Sequence, residues 1–228
     1  MSDSIRVAEY TSRLRHNILQ MPPEIQEASG IVINGRRLKS LVFTTDIAII
    51  KNCDADGVFA VYPFTPQQSI SDALIKHSSM PVFCGVGGGT TRGARTRTLA
   101  KDVESQGAIG VVLNAPISNE DLRMVSDSID IPVVITVVSK ETDILARLQN
   151  GASILNIAAA ANTPDVVAYA RSVAPEVPII ATGGKTAEHV LATVRAGANA
   201  ITYTPPSTLL LSRCMLSRMP SGLKRTGG

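Results

Sequence analysis

Two kinds of dipeptide alternate along this chain, and each kind opens a short apolar run. The steps are Met80-Pro81, Gly107-Ala108, Ile131-Pro132, Gly151-Ala152, Val177-Pro178 and Gly197-Ala198. Steps of the same kind recur at roughly 45 to 50 residues, which indicates an internally repetitive architecture. The apolar runs have the length and β-branched content of buried strands, and a polar stretch with helical periodicity follows each one. The pattern therefore predicts successive βα units in a parallel sheet.

The number of these units indicates which parallel sheet they form. Strand-like runs occur at residues 40–44, 57–62, 81–85, 109–114, 132–137, 153–157, 178–182 and 200–203. Eight βα units are typical of a closed (β/α)8 barrel, whereas an open doubly wound sheet, the alternative, more often has five or six strands. We predict an α/β protein with a single (β/α)8 TIM barrel over residues 38–217. Residues 1–37 would form an N-terminal extension with a helix over 7–19, and residues 218–228 a disordered tail.

Composition and charge argue against several functional classes. The net charge of +3 over 228 residues, without a basic stripe interleaved with aromatics, is not typical of a nucleic-acid-binding protein. The sequence contains no apolar stretch long enough to span a bilayer and no secretion signal at its start. The three cysteines form no CxxC pair, which favours a reducing compartment. We expect a cytoplasmic protein that binds neither nucleic acid nor membranes. The extension's helix could cover a neighbouring subunit, so a homo-oligomer is left open.

Ligands of TIM barrels bind where the strands end and the loops to the helices begin. Glycine, hydroxyl, amide and cationic residues collect at these ends in this chain, a combination that suits an anionic ligand. The candidate binding residues are Gly87, Gly88, Gly89, Thr90, Arg92, Asn114, Thr182, Gly183, Gly184, Lys185 and Thr204. The alternatives are a flexible surface loop for residues 85–92 and a simple tight turn at Gly183-Gly184.

The segments 179–184 (Ile-Ile-Ala-Thr-Gly-Gly) and 196–201 (Ala-Gly-Ala-Asn-Ala-Ile) resemble the phosphate-binding end of the ribulose-phosphate-binding barrels. That superfamily includes thiazole synthase and the N-acylmannosamine-phosphate epimerases. The resemblance is specific over about the last 30 barrel residues and architectural elsewhere. It implies that Gly183 and Gly184 expose backbone N–H groups to a phosphate at a helix N-terminus. This chain departs from the superfamily after the last strand, where Pro205 and Pro206 replace a Gly-rich turn and offer no N–H, so the Thr204 hydroxyl would have to compensate.

Several kinds of chemistry lack the residues they would need. The strands over 109–182 contain no lysine for a Schiff base. Asp46 is the one acidic residue at the strand ends, so no set of metal ligands is evident there. The three histidines, His16, His77 and His189, are expected to lie away from the strand ends. Cys84 has no predictable base nearby and is expected to be a buried thiol.

The remaining polar residues suggest proton transfer. Asp46 could act as the general acid or base, although a carboxylate at this position also suits the N-cap of the following helix. Tyr62 and Asn156 could hold a carbonyl or hydroxyl group of the substrate. We predict an enzyme without metal or cofactor that acts on a small phosphorylated or otherwise anionic metabolite as an isomerase, epimerase or lyase. A hydrolase using the same cleft and a ligand-sensing barrel without catalysis are the alternatives.

Overall fold

A closed ring of parallel strands forms the centre of the protein. The structure, a computed structural model, describes Tyr10 and residues 18–218. Two short strands, β1 (Ile31–Ile33) and β2 (Arg36–Leu38), pair as an antiparallel hairpin. The barrel strands then follow as β3 (Ser40–Phe43), β4 (Gly57–Ala60), β5 (Val82–Gly87), β6 (Gly110–Leu113), β7 (Val133–Val137), β8 (Ile154–Ile157), β9 (Ile179–Thr182) and β10 (Ala200–Tyr203). Ring order follows chain order and β10 pairs with β3, so the predicted (β/α)8 barrel is confirmed.

Helices follow the barrel strands and cover the outside of the ring. They are α1 (Ile47–Lys51), α2 (Gln68–His77), α3 (Ala94–Ser105), α4 (Asn119–Ser126), α5 (Ile144–Gln149), α6 (Thr163–Val173), α7 (Ala187–Arg195) and α8 (Thr208–Arg218). Side chains of Asp46, Ser118, Asp143 and Thr186 accept hydrogen bonds from the first turns of α1, α4, α5 and α7, which is why these helices begin where they do. Within the residues that the structure describes, no helix is long and apolar enough to cross a membrane.

Each barrel strand buries both of its faces. Outward side chains such as Val58, Val111 and Leu155 pack in one cluster with helix residues such as Leu74 and Val167. Inward side chains form a second cluster, which contains Leu41, Phe59, Phe83, Val112, Val134, Ile154, Ile180 and Ala200. Burial on both faces explains why the strands appear in the sequence as continuous apolar runs rather than as an alternating pattern.

The N-terminal segment closes the bottom of the barrel. A 3-10 helix (Pro23–Glu27) precedes the β1–β2 hairpin, whose Ile31, Ile33 and Leu38 join the inner cluster. Most of the helix predicted over 7–19 lies outside the described residues, and Leu19 forms an isolated bridge with Cys53 instead of a helical turn. Residues 219–228, predicted to be disordered, also lie outside the described part. The barrel bottom is thus covered by a hairpin.

Candidate functional site at the barrel mouth

One layer of side chains lines the barrel interior at the carboxyl ends of the strands. Side chains alternate along a strand, so the residue two positions after each member of the inner cluster points inward again, nearer the mouth. This mouth layer consists of Phe43, Val61, Gly85, Asn114, Thr136, Asn156, Thr182 and Thr202. The positions on β3 to β5 are apolar or lack a side chain, and those on β6 to β10 are polar without charge. The mouth therefore has an apolar half and a neutral polar half.

Within the mouth layer, Asn156 is the residue with a buried side-chain atom that has no hydrogen-bond partner. It is 6% exposed, and its Nδ2 donates a hydrogen bond to Thr136 Oγ1 at 3.3 Å. Its Oδ1 is buried and has no hydrogen-bond partner. Because buried amide oxygens in folded proteins are nearly always paired, an unpaired one in a barrel mouth indicates a ligand position. The structure thus places the predicted Asn156 in the mouth layer, with an acceptor that no protein donor uses.

Two cavities open beside the apolar half of the mouth layer. One, of about 210 Å³, is lined by residues that include Val61, Tyr62, Gly87, Gly89, Thr90 and Asn114. The other, of about 740 Å³, is lined by residues that include Phe43, Asp46, Val61, Tyr62, Thr204 and Thr208. Val61, Tyr62 and Pro63 belong to both linings, so the two cavities adjoin. The structure brings together Asp46, Tyr62 and Thr204 on one side and Tyr62, Thr90 and Asn114 on the other.

Tyr62 is held in place between these cavities by the backbone of its own loop. Its side chain is half-buried, and its phenolic oxygen accepts a hydrogen bond from the Gln67 N–H at 2.9 Å. A phenol has one proton of its own to donate, so Tyr62 can still hydrogen-bond an oxygen of a ligand in either cavity.

Asp46 is the N-cap of α1, the structural role predicted as the alternative to acid/base catalysis. Its Oδ1 accepts hydrogen bonds from the N–H groups of Ala48 at 2.8 Å and Ile49 at 3.3 Å, which makes it the N-cap of α1. Its Oδ2 accepts a hydrogen bond from the Thr208 hydroxyl at the start of α8. The carboxylate also lines the larger cavity, so the cap does not remove it from a ligand's reach.

The glycines after β5 pack the loop against the neighbouring strand. Gly88 donates its N–H to the Thr91 carbonyl at 2.9 Å, and the Gly87 carbonyl accepts from the Asn114 N–H at 2.9 Å. A Cβ at Gly88, whose φ is +101°, would lie 2.7 Å from the Asn114 nitrogen. The Gly88 N–H is therefore used within the loop. Gly89 and Thr90 do line the smaller cavity.

Arg92 lies at the edge of the same loop. Its Nε donates a hydrogen bond to the Gly89 carbonyl at 2.6 Å, and the side chain is exposed. The loop and the guanidinium are thus tied together. An anion bound at Gly89 and Thr90 would lie near a positive charge.

The glycine pair after β9 lacks one of the two free N–H groups that the predicted phosphate site would need. The Gly183 N–H donates to the Thr202 carbonyl at 3.1 Å, so the expectation that it is free for a phosphate is wrong. Lys185 is exposed, and Thr182 belongs to the mouth layer. β9 lies opposite β5 in the ring, roughly 15 Å away by the usual spacing and tilt of eight strands. The glycine run after β5 and the glycine pair after β9 share one mouth but occupy opposite sides of it.

His189, predicted to lie away from the strand ends, lies close to this end of the barrel. A Cβ at Gly184 would come within 2.5 Å of His189 Cδ2, so the imidazole lies against the glycine backbone. The ring's Nε2 is buried without a hydrogen-bond partner. The sequence does contain a signal for this position, since His189 is three residues after the Thr186 cap and hence in the first turn of α7.

Cys84 on β5 faces the helices and not the mouth. It is buried in the outer cluster, and desolvation raises the pKa of its thiol to about 12. The prediction of a buried, unreactive thiol is confirmed. Cys84 is therefore no candidate nucleophile at neutral pH.

Comparisons with known proteins show similarity in fold alone. No protein-family model and no curated protein sequence matches this chain. Among solved structures, phosphonopyruvate hydrolase in complex with oxalate and Mg++ is similar with a TM-score of 0.61 and 14% identity, over 86% of this chain and 83% of that one. Oxaloacetate acetylhydrolase has a TM-score of 0.62 and 10% identity over 81% of each chain. A third, 2,3-dimethylmalate lyase, is described as a PEP mutase/isocitrate lyase superfamily member, with a TM-score of 0.61 and 10% identity over 85% and 82%.

These neighbours change the interpretation of the sequence resemblance. None of the three is a ribulose-phosphate-binding barrel, so the resemblance to that superfamily holds only at the level of the TIM barrel. One neighbour contains Mg++, whereas the described residues of the present chain include no cluster of acidic, histidine or cysteine side chains that would by itself hold such an ion. Among them, no three His, Cys, Asp or Glu side chains lie together as metal ligands. Asp46, the carboxylate at the strand ends, already accepts three hydrogen bonds.

Proposed function

We propose that this protein is an enzyme that moves a proton on a small organic anion bound in the two adjoining cavities at the barrel mouth, without a metal ion. The observation that carries the proposal is that Tyr62 lines both cavities, with Asp46 in the larger one and Thr90 and Asn114 in the smaller one. An acid/base residue and hydrogen-bonding groups thus surround a single space. Cavities of this size hold metabolites of ordinary dimensions.

The anionic end of the metabolite belongs beside Gly89, Thr90 and Arg92. Thr90 supplies a hydroxyl, and the exposed Arg92 guanidinium supplies a positive charge next to it. The β9 end is the weaker candidate for the anion because the Gly183 N–H is already bonded to Thr202. Similarity to phosphonopyruvate hydrolase and oxaloacetate acetylhydrolase, both named for small organic anions, supports this class of ligand.

The proton transfer would use Asp46 and Tyr62 together. Asp46 takes a proton from a carbon atom of the substrate, while the Tyr62 hydroxyl donates a hydrogen bond to the adjacent carbonyl oxygen, where negative charge develops. Return of the proton from Asp46 to a neighbouring carbon atom on the same face gives an isomer. Thr208, which donates to Asp46 Oδ2, keeps the carboxylate oriented toward the cavity.

A ligand-sensing barrel without catalysis is the second candidate. The observation that favours it is the set of three hydrogen bonds that Asp46 already accepts as a cap and as a partner of Thr208. A carboxylate committed to these contacts would be structural, and the mouth layer itself contains no charged group.

Two variants of Asp46 separate these functions. Asparagine is as good an N-cap as aspartate, so Asp46→Asn keeps the start of α1, whereas Asp46→Ala removes the cap as well. Isothermal titration calorimetry with sugar phosphates, inorganic phosphate and small carboxylates, in EDTA, identifies the anions that bind. NMR in D2O then follows exchange of a carbon-bound proton of each bound anion for deuterium.

If the protein is an enzyme, the wild type should exchange a carbon-bound proton of the anion for deuterium in EDTA. Asp46→Asn should exchange it about 10²- to 10⁴-fold more slowly while retaining its affinity for the anion. Binding without exchange in the wild type would support the sensor. If none of these anions binds, both functions are contradicted.

A further inference from the structure

We propose that the metabolite's inner end is uncharged and carries a hydroxyl group whose proton is donated to Asn156 Oδ1. This inference rests on the proposed function, because it assumes a small anion bound at the barrel mouth. It adds the chemical class of that anion: a hydroxylated one, oriented with its hydroxyl end inward and its charge toward solvent.

The unpaired oxygen of Asn156 determines whether its missing partner donates or accepts a hydrogen bond. Oδ1 can only accept a hydrogen bond, it is buried without a partner, and one of the two Nδ2 protons of the same amide is donated to Thr136. A carboxylate has no proton to donate at neutral pH, and a phosphate monoester is largely dianionic there, so either group would repel Oδ1 instead of pairing with it. The partner must therefore be a donor.

The absence of charge in the mouth layer indicates which donor it is. An ammonium group could also donate to Oδ1, but the mouth layer contains no carboxylate to balance its charge, and Asp46, beside the layer, already accepts three hydrogen bonds. A hydroxyl donates without carrying charge. A neutral O–H is thus the donor that this layer accommodates at the lowest desolvation cost.

The strands next to Asn156 offer sites for further hydroxyls. Thr136 Oγ1 accepts from Asn156 and can donate its own proton onward, and Thr182 lies beside Thr202 in the register of β9 and β10. Asn114 adds an amide on β6. Hydroxyls act as donors or acceptors as required, so this half of the layer suits a carbon chain with more than one hydroxyl.

The opposite half of the layer suits the carbon face of the same chain. Phe43 stacks on Phe59 with ring centroids 6.1 Å apart, and Val61 extends this apolar wall toward Gly85. The cations near the mouth, Arg92 and Lys185, are exposed and lie outside the layer. An anionic end therefore faces outward when the hydroxyl end faces Asn156.

Pairs of ligands that differ only in hydroxyl groups test this orientation. Calorimetry compares glycerol 3-phosphate with propyl phosphate, and lactate with propionate, on the wild type and on Asn156→Leu. Leucine has nearly the same size as asparagine but removes the acceptor. Asn150→Leu, at the end of α5 and away from the mouth, is the matched control.

The expected result for at least one pair is about 10- to 100-fold tighter binding of the hydroxylated ligand by the wild type, as for a hydrogen bond to a buried acceptor. This preference should disappear in Asn156→Leu and persist in Asn150→Leu, while the non-hydroxylated ligand binds all three proteins equally. Equal binding within both pairs, or a preference that survives in Asn156→Leu, would overturn the inference and leave the proposed function standing. If none of the four compounds binds although another sugar phosphate or carboxylate does, the inference is overturned and the proposed function stands. If no anion binds at all, both fail.

Discussion

The backbone N–H of Gly183 donates a hydrogen bond to the carbonyl oxygen of Thr202 at 3.1 Å. This bond extends the β9–β10 pairing by one residue beyond the end of β9. The same contact holds the Gly183 Cα close to β10, since a Cβ there would lie 2.5 Å from Ile201 Cγ2 and 3.2 Å from Val190 Cγ2. Gly183 is therefore needed for packing between the barrel and α7, whatever the ligand.

Gly183→Ala should lower the free energy of unfolding by about 1–3 kcal/mol, because the new methyl group is forced into a packed core. Chemical denaturation of the ligand-free protein measures this. A variant as stable as the wild type would contradict the close packing of Gly183 against Ile201 and Val190.

Two adjacent glycines after β5 should respond very differently to alanine. At Gly88 the backbone has a φ of +101° and a Cβ would clash with Asn114, whereas at Gly89 nothing lies within 4 Å of a Cβ. We expect Gly88→Ala to cost roughly 3 kcal/mol or more through backbone strain and overlap, and Gly89→Ala to change stability by no more than about 0.5 kcal/mol. Thermal and urea denaturation compare the pair. Similar losses in both variants would contradict this loop geometry.

The two asparagines at opposite ends of the barrel should also differ. Asn156 has an unpaired Oδ1, whereas Asn199 Oδ1 accepts from Ile179 and Arg171 and its Nδ2 donates to Ser29. Removing an unpaired buried group relieves a desolvation cost, so Asn156→Leu should raise Tm by about 2–4 °C. Asn199→Leu should lower the free energy of unfolding by about 2–4 kcal/mol, because its partners lose their bonds. A lower Tm for Asn156→Leu would indicate that Oδ1 has a partner in solution.

Cys84 should make the protein less stable at alkaline pH. Burial raises the pKa of its thiol from the ordinary 9.0 to about 12, so the folded state retains the proton that the unfolded chain loses. Its contribution is complete below pH 9 and declines as the pH rises toward 12, by up to about 1.4 kcal/mol per pH unit. Urea denaturation between pH 7 and 10.5 should show a steeper decline for the wild type than for Cys84→Ala. Parallel curves for the two proteins would show that the thiol titrates normally.

Parts of the fold can be predicted from the sequence because they depend on local pattern. Strands buried on both faces are continuous apolar runs, and the Gly-Ala and X-Pro steps mark where each run begins, as at Gly197 before β10. Asp46 as an N-cap was also visible, since a carboxylate before a helix is a local signal. The mouth layer was only partly seen: Asn114, Asn156 and Thr182 were predicted, while Thr136 and Thr202 were not assigned a role. Counting every second residue along each strand would have found them.

The sequence by itself determined the number of βα units, and hence a closed barrel with its ligand end at the carboxyl ends of the strands. Only the tertiary structure decided which polar groups at that end remain available. The Gly183 N–H is taken by Thr202, the Gly88 N–H by Thr91, and Asn156 Oδ1 is left without a partner. Periodicity depends on neighbours along the chain, so it can be recognised in the sequence. A hydrogen bond between strands depends on residues brought together from distant positions, and only the closed ring establishes which of them meet.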